Sequence, residues 1–390
     1  MISVSEALTQ LFSLVGPLGG EDVPLAEAGR RVLAADAVAR RDQPPFDAAA
    51  MDGYAVRAPD AVPGARLRVI GAAPAGHGYG GPVGPGQAVR IFTGAPVPEG
   101  ADRVVIQEDT SREGDLVTLG EDIDAGPHVR KRGTDFAAGE RLSAPRILTP
   151  QDVALLAAMN IPRVRVTRQP EVALISTGDE LVMPGEDPGP DQIIASNTFG
   201  LKAMLEELGA RPRILPIARD SRASLETAFG LAEGADLVVT IGGASVGDHD
   251  LVGAVAGDLG MERAFYKVAM RPGKPLMAGR MGTAAMLGLP GNPVSAMVCG
   301  RVFLAPMVRA MLGLGRAPAP RHQAALAHEL PAAGPREHYM RARLHQDRIA
   351  PDDRQDSALL SVLAGANALL VRPPHDPPRR AGEIVDYLPL

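Results

Sequence analysis

Short polar segments that follow apolar runs carry the residue types able to hold a phosphorylated ligand. In Asp236-Leu-Val-Val-Thr-Ile-Gly-Gly-Ala-Ser-Val-Gly-Asp-His-Asp250, the run Leu237 to Ile241 reads as a buried parallel strand. It opens into Gly242-Gly243, where the backbone can take positive φ and approach a ligand closely. Successive amides in such a turn point one way and form a nest for an anion. Ser245 adds a hydroxyl beside Gly247, and Asp248 and Asp250 add two carboxylates. Glycines with a hydroxyl suggest a phosphate or pterin ligand, and the carboxylates suggest a Mg2+ that accompanies it. The plain alternative is a strand-to-helix turn with a capping Asp.

Similar chemistry recurs nearby. Ile175-Ser-Thr-Gly-Asp-Glu180 places Ser176, Thr177, Asp179 and Glu180 on a turn around Gly178. Ser196-Asn197-Thr198 opens a helix whose amides and hydroxyls suit an anion or a pterin edge. Asp220 follows the run Ile214 to Ile217. Glu180, Asp220 and Asp250 could meet over one ligand edge and hold a hydrated Mg2+. Taken singly, each reads equally well as a helix cap or a surface carboxylate. Positive charge comes from Lys267-Val-Ala-Met-Arg271-Pro-Gly-Lys274-Pro, where Pro272 and Pro275 stiffen the chain around Gly273. A rigid pair of cations, Arg271 and Lys274, suits an oxyanion such as phosphate or molybdate. Leu289-Pro-Gly-Asn-Pro-Val-Ser295 supplies another turn, Pro290 to Asn292, before a helix that carries Ser295 near its start. No His-Glu-x-x-His pair or Walker A sequence occurs. The histidines lack ligand spacing, and His249, between two aspartates, is the one worth testing.

These segments need elements to position them. From 171 to 312 the apolar runs Val172 to Ile175, Ile214 to Ile217, Leu237 to Ile241 and Ala284 to Leu287 alternate with helical patterns. The helices are expected at 197–208, 221–232, 250–259 and 294–311. Such alternation predicts a parallel sheet covered on both faces, with ligands at the strand carboxyl ends. Residues 3–15 predict an amphipathic helix capped by Ser3 and Glu6, and 20–43 a connector with a helical piece around Glu27 to Leu33. From 44 to 139, short β-like runs between Gly/Pro turns predict an all-β domain, with a long loop at 71–86. A helix at 151–159 follows the Thr149-Pro150 cap, and 321–390 reads as a β-rich module with one helical turn near 358–364. At 390 residues the chain exceeds one core. A net charge of −6 argues against binding nucleic acid by phosphate neutralisation. Cys299 alone excludes an intrachain disulfide and fits a reducing cytosol. No apolar run is expected to approach the ~20 residues of a membrane span.

Six motifs in order resemble the molybdopterin molybdenumtransferase family: Pro45-Phe-Asp with Ala50-Met-Asp-Gly-Tyr-Ala55, Phe92-Thr-Gly-Ala95, Ser176 to Glu180, Gly242 to Asp250, Arg271 to Pro275 and Leu289 to Pro293. Asn367 to Pro373 extends the likeness towards the C-terminus. The resemblance implies a multidomain α/β and β protein, an elongated homodimer. Its molybdopterin-binding α/β domain would span 1–19 and 169–316, with a connecting domain at 20–43 and 139–168. A β-rich domain would span 44–138, and a C-terminal β-rich domain 317–390. The implied reaction joins molybdate to adenylylated molybdopterin with Mg2+, giving molybdenum cofactor and AMP. By motif, Asp52, Thr93, Glu180, Asp220, Asp250 and Lys274 would act in it, with Glu180, Asp220, Asp248 and Asp250 as metal ligands. Ser176, Thr177, Gly178, Asp179, Ser196, Asn197, Gly242, Gly243, Ser245, Gly247, Pro290, Gly291, Asn292 and Ser295 would line the organic ligand. Gly273 would join them, and Arg271 would lie on the molybdate side. Implied partners are the upstream molybdopterin adenylyltransferase and acceptor molybdoenzymes, in the cytoplasm, with neither nucleic acid nor membrane. The chain departs from the pattern at Ala48-Ala-Ala50, where Asn-Ser-Ala is usual, at Ala244 and His249, and at 355–361, which lacks the usual glycines. Two rival readings are a molybdopterin adenylyltransferase, which normally has the α/β domain alone, and a dimeric scaffold with a vestigial pocket, like gephyrin.

Overall fold

The computed structural model describes residues 1–243 and 251–390. Ser245, Gly247, Asp248, His249 and Asp250 therefore lie outside the described residues. The chain forms two compact units, one of 1–21, 30–34 and 166–390, the other of 22–29 and 35–165.

In the smaller unit a six-stranded sheet runs Arg103–Ile106, Gly53–Val56, Gln87–Ile91, Arg66–Ala73, Leu116–Leu119, Thr110–Glu113. Alternation along Gly53–Val56 sends Tyr54 and Val56 into one apolar cluster and Ala55 into another, so both faces are covered. The expected loop begins later than predicted, because Gly71 to Ala73 complete the strand Arg66–Ala73. The helix Pro150–Ala158 has the predicted Thr149 cap, with Asp152 closing a capping box. The helical piece expected around Glu27 to Leu33 is instead a 3-10 turn at Leu25–Glu27, and Val32–Leu33 is strand. Gly29 and Arg30 stop the helix, since Arg30 takes a left-handed φ of 65°.

The larger unit is built on a sheet in the order Arg211–Ile214, Glu171–Ser176, Leu237–Ile241, Ala284–Leu289, Pro275–Met281, Met261–Lys267. The first four strands are parallel, as predicted. The last two are antiparallel and extend the sheet beyond the expected strands. Pro275 and Gly279 hide one of them from a propensity reading. A Cβ at Gly279 would collide with the Glu262 carbonyl oxygen of the neighbouring strand. The strand expected at Ile214 to Ile217 lies at Arg211–Ile214, because Pro216 has no N–H for a ladder.

Val172 and Leu174 face a cluster with Leu8, Leu11, Leu201 and Phe303, while Ala173 and Ile175 face Leu225, Phe229 and Val255. The predicted cap is present on Val4–Leu14, where Glu6 N donates to Ser3 Oγ at 3.1 Å. The long helix predicted from Val294 is Pro293–Cys299, a π turn at Gly300–Leu304, then Ala305–Met311. It crosses Asn197–Glu207 closely: a Cβ on Gly300 would stand 2.8 Å from Leu201, and one on Gly200 2.9 Å from Met297. Contrary to expectation, Pro293–Met311 is 19 residues long with mean hydropathy 1.4, enough for a membrane span by length and composition. It is 83% buried inside the protein and serves as a core helix. The C-terminal strands close a ring: Glu337–His345, Arg348–Pro351, His322–Leu326, Ile384–Pro389, Ala368–Arg372 and back to Glu337–His345. Met270–Arg271 pairs alongside Glu337 and His338, tying the predicted cationic loop to this barrel. The expected helical turn is Leu360–Ala364.

Candidate functional site

A cleft of about 770 Å3 opens where Glu171–Ser176, Leu237–Ile241 and Ala284–Leu289 end. Open α/β sheets bind ligands at this edge. Ser176, Thr177, Glu180, Ser196, Asn197, Gly242, Gly243, Pro290, Gly291 and Asn292 all line it, so most of the predicted ligand set converges. Leu181, Ile193, Ile194, Pro275, Ala358 and Leu360 add apolar wall.

The glycine turn is demanded partly by its neighbours. Gly242 has φ 95° and Gly243 φ 64°. A Cβ on Gly242 would stand 2.6 Å from the Thr177 carbonyl oxygen, and one on Gly243 2.8 Å from Thr177 Oγ1. Two strand ends are thereby pressed together, which leaves Thr177 2% exposed. Its hydroxyl has no hydrogen-bond partner among the described residues. A buried hydroxyl left so costs about 1–3 kcal/mol. Among the described residues of this strand end it is the hydroxyl left over for a ligand, because Ser176 is hydrogen-bonded to Thr198.

Other predicted residues hold the cleft together. Asn197 Nδ2 donates to the Gly291 carbonyl at 2.6 Å, and Asn292 Nδ2 to Ser357 Oγ at 3.0 Å. Ser357, whose carbonyl also accepts from Val294 N at 3.0 Å, was not singled out in the sequence. Asp179 Oδ1 accepts from Asp220 N at 3.1 Å, so this carboxylate fastens one strand end to the next. Ser295 is buried within its helix and does not line the cleft, and neither does Asp220, which is exposed.

Arg271 and Lys274 are exposed, and neither has an ion-pair partner among the described residues. The loop between them reaches the cleft through Pro275. Gly273 has φ 106°, and a Cβ there would collide with Cys299 Sγ. Cys299 is buried in the core, and burial pushes its thiol well above the usual range. Beside Arg271 lies His338, whose pKa burial and then the charges of Arg271, Arg341, Arg372 and Arg336 lower to about 4. Arg336 donates to the Met270 carbonyl at 3.4 Å, and Arg341, 1% exposed, keeps a buried Nε with no acceptor. This positive surround was missed because its residues lie more than 60 positions from the loop, and strand pairing alone brings Glu337 and His338 to it.

In the smaller unit, Thr93 N and Oγ1 both donate to Asp52 Oδ1, at 2.8 and 2.7 Å. The Thr93 amide first, then its hydroxyl, hold the Asp52 carboxyl below the usual range. Arg90 sits over the rings of Tyr54 and Phe92, at 5.3 and 4.7 Å.

Among the described residues no three His, Cys, Asp or Glu side chains converge as a metal cage. Glu180 and Asp220 are hard oxygen donors of the type Mg2+ takes, and Mg2+ needs only one or two carboxylates beside water and substrate. The donor chemistry therefore fits that ion.

Comparison with known proteins agrees along the whole chain. The model of the MoeA N-terminal region (domain I and II) matches residues 2–160. That of the probable molybdopterin binding domain matches 173–310, and that of the MoeA C-terminal region (domain IV) matches 323–390. The molybdopterin molybdenumtransferase of Nostoc sp. is 37% identical over 96% of this chain and 90% of its own length. That of Bacillus subtilis is 33% identical over 95% and 90%. The solved molybdopterin biosynthesis MoeA protein from Pyrococcus horikoshii OT3 superposes with TM-score 0.85 at 29% identity, covering all of both chains. With its three regions matched in order and its strand-end cleft in place, this chain belongs to the molybdopterin molybdenumtransferase family.

Proposed function

We propose that this chain transfers molybdenum from molybdate into adenylylated molybdopterin, releasing AMP and forming molybdenum cofactor. The observation that carries the reading is the cleft itself. A glycine turn, an unpaired Thr177 hydroxyl and the Glu180 carboxylate line it, and the loop bearing Arg271 and Lys274 reaches it. Its relatives bear the name molybdopterin molybdenumtransferase.

In this reading the glycine turn and Thr177 bind the organic ligand. Arg271 and Lys274 hold the tetrahedral oxyanion beside the dithiol. The two dithiol sulfurs bond to molybdenum as one molybdate oxygen leaves with the two thiol protons as water. A water molecule adds across the phosphoanhydride to release AMP. Much of the acceleration then comes from positioning. The buried Cys299 thiol, with its raised pKa, is unsuited to covalent catalysis. Asp220, Asp248 and Asp250 are the carboxylates that would be offered to Mg2+, which when bound would neutralise phosphoryl oxygens. The four-domain partition, the homodimer, the cytoplasmic setting, and the adenylyltransferase and molybdoenzyme partners belong to the same proposal. Its test is molybdate-dependent AMP release from adenylylated molybdopterin by the purified chain. Binding of the organic ligand with no AMP released on adding molybdate would overturn it.

A further inference from the structure

Arg219 belongs to none of the motifs above, yet it shapes the turn that carries Glu180. One of its guanidinium nitrogens reaches three carbonyl oxygens of that turn: Asp179 and Leu181 at 3.0 Å, and Gly178 at 3.5 Å. Charge-assisted bonds of this kind are the stronger ones. The following amide, of Asp220, clips the same turn through Asp179 Oδ1.

The consequence follows from peptide geometry. The peptide bonds of this turn are trans, and in a trans peptide the N–H points opposite to the C=O. With the Gly178 and Asp179 carbonyls drawn to Arg219, the N–H groups of Asp179 and Glu180 must point away from it. Among the described residues neither amide has an acceptor. Thr177 and Glu180, before and within the turn, both line the cleft.

Two adjacent N–H donors next to a carboxylate acceptor match one kind of ring edge. A 2-amino-4-oxopyrimidine, the edge of a pterin, offers a carbonyl oxygen to the donors and N–H groups to the carboxylate. A flat ring also needs an apolar surface. Ile193 is 58% exposed, with Ile194 and Leu360 each 38% exposed, and all three line the same cleft. Ile193 N donates to the Glu180 carbonyl at 2.7 Å, so edge and surface are fastened to one another.

We propose that the Asp179–Glu180 turn, held in shape by Arg219, reads the 2-amino-4-oxo edge of the pterin ring while Ile193 and Ile194 support its face. The inference rests on the molybdopterin reading of the cleft and makes Arg219 a positioning residue.

The test uses the full chain labelled with 15N, in EDTA so that no metal assists. It is titrated with pterin and with lumazine, which carries an oxo group in place of the 2-amino group. In the wild type the Asp179 and Glu180 amide resonances move with pterin, which binds at least about tenfold tighter than lumazine. Arg219→Gln keeps its thermal midpoint, loses about tenfold in pterin affinity and no longer separates the two ligands. Arg219→Lys, whose ammonium can still reach the carbonyls, stays within about threefold of wild type. Unmoved amides, equal affinity for the two rings, or full discrimination by Arg219→Gln would each overturn the inference. If Arg219→Gln fails to fold, Arg219→Lys decides, and a tenfold loss there counts against it. AMP release is read separately: a chain that discriminates the rings but releases no AMP sustains this inference and refutes the proposed reaction.

Discussion

Thr177 shows at one residue how stability and binding pull apart. Its hydroxyl is buried and unpaired, so Thr177→Val should leave the fold as stable as before or raise stability by about 1 kcal/mol. The same change should raise the half-saturating concentration of the organic substrate about tenfold. Chemical unfolding and AMP kinetics on one preparation check both, and a lower stability with unchanged kinetics would make Thr177 structural. Lys274→Ala should instead raise the molybdate requirement about tenfold while the organic ligand binds as before; an unaltered molybdate dependence would remove Lys274 from the oxyanion site. Much of the cleft was legible because each polar group follows an apolar run whose strand end must face one edge. What could not be read was which groups the protein consumes itself. Thr198 takes Ser176 and Asp220 N takes Asp179, through contacts 22 and 41 positions apart.

At the level of elements, the loop 271–275 depends on the helix beneath it. Gly273 has a left-handed φ, and a Cβ there would strike Cys299. Gly273→Ala should therefore cost at least about 2 kcal/mol, measured as a drop in unfolding midpoint. A wild-type midpoint would show that the loop can lift off its support. The barrel edge beside it carries a pH response. The folded pKa of His338, about 4, lies below its usual 6.5, so the unfolded chain binds the extra proton between these values. The contribution is complete above about pH 6.5 and is lost as pH falls towards 4. After allowance for partial exposure the difference at pH 5 is on the order of 1–2 kcal/mol. The midpoint of the wild type should therefore fall more between pH 7 and 5 than that of His338→Gln, and parallel declines would refute the assignment. Strands with continuous apolar runs, such as Leu237–Ile241, were legible to the residue. Those interrupted by proline or glycine, Arg211–Ile214 and Pro275–Met281, were displaced or missed, because their ladder partners rather than their composition define them.

For the molecule as a whole, the texture of the sequence changes between 44–139 and 171–312, and contacts group 35–165 with 22–29 in one unit and 166–390 with 1–21 and 30–34 in the other. Closure of the C-terminal strands into a barrel was not legible, since only cross-strand register shows that Glu337–His345 pairs at both edges. Net charge is −6, so the proposed oxyanion site relies on local positive charge, which Arg271 and Lys274 would offer. The proposed homodimer should scatter light as twice the 40.7 kDa chain, and a monomer at micromolar concentration would contradict it. The most direct measurement is AMP release by the purified chain, supplied with adenylylated molybdopterin, before and after molybdate is added. The account predicts AMP in step with molybdate and an organic product that carries molybdenum. A chain that binds the substrate yet releases no AMP at any molybdate concentration, while capturing a partner peptide tightly, would be a scaffold and would contradict it.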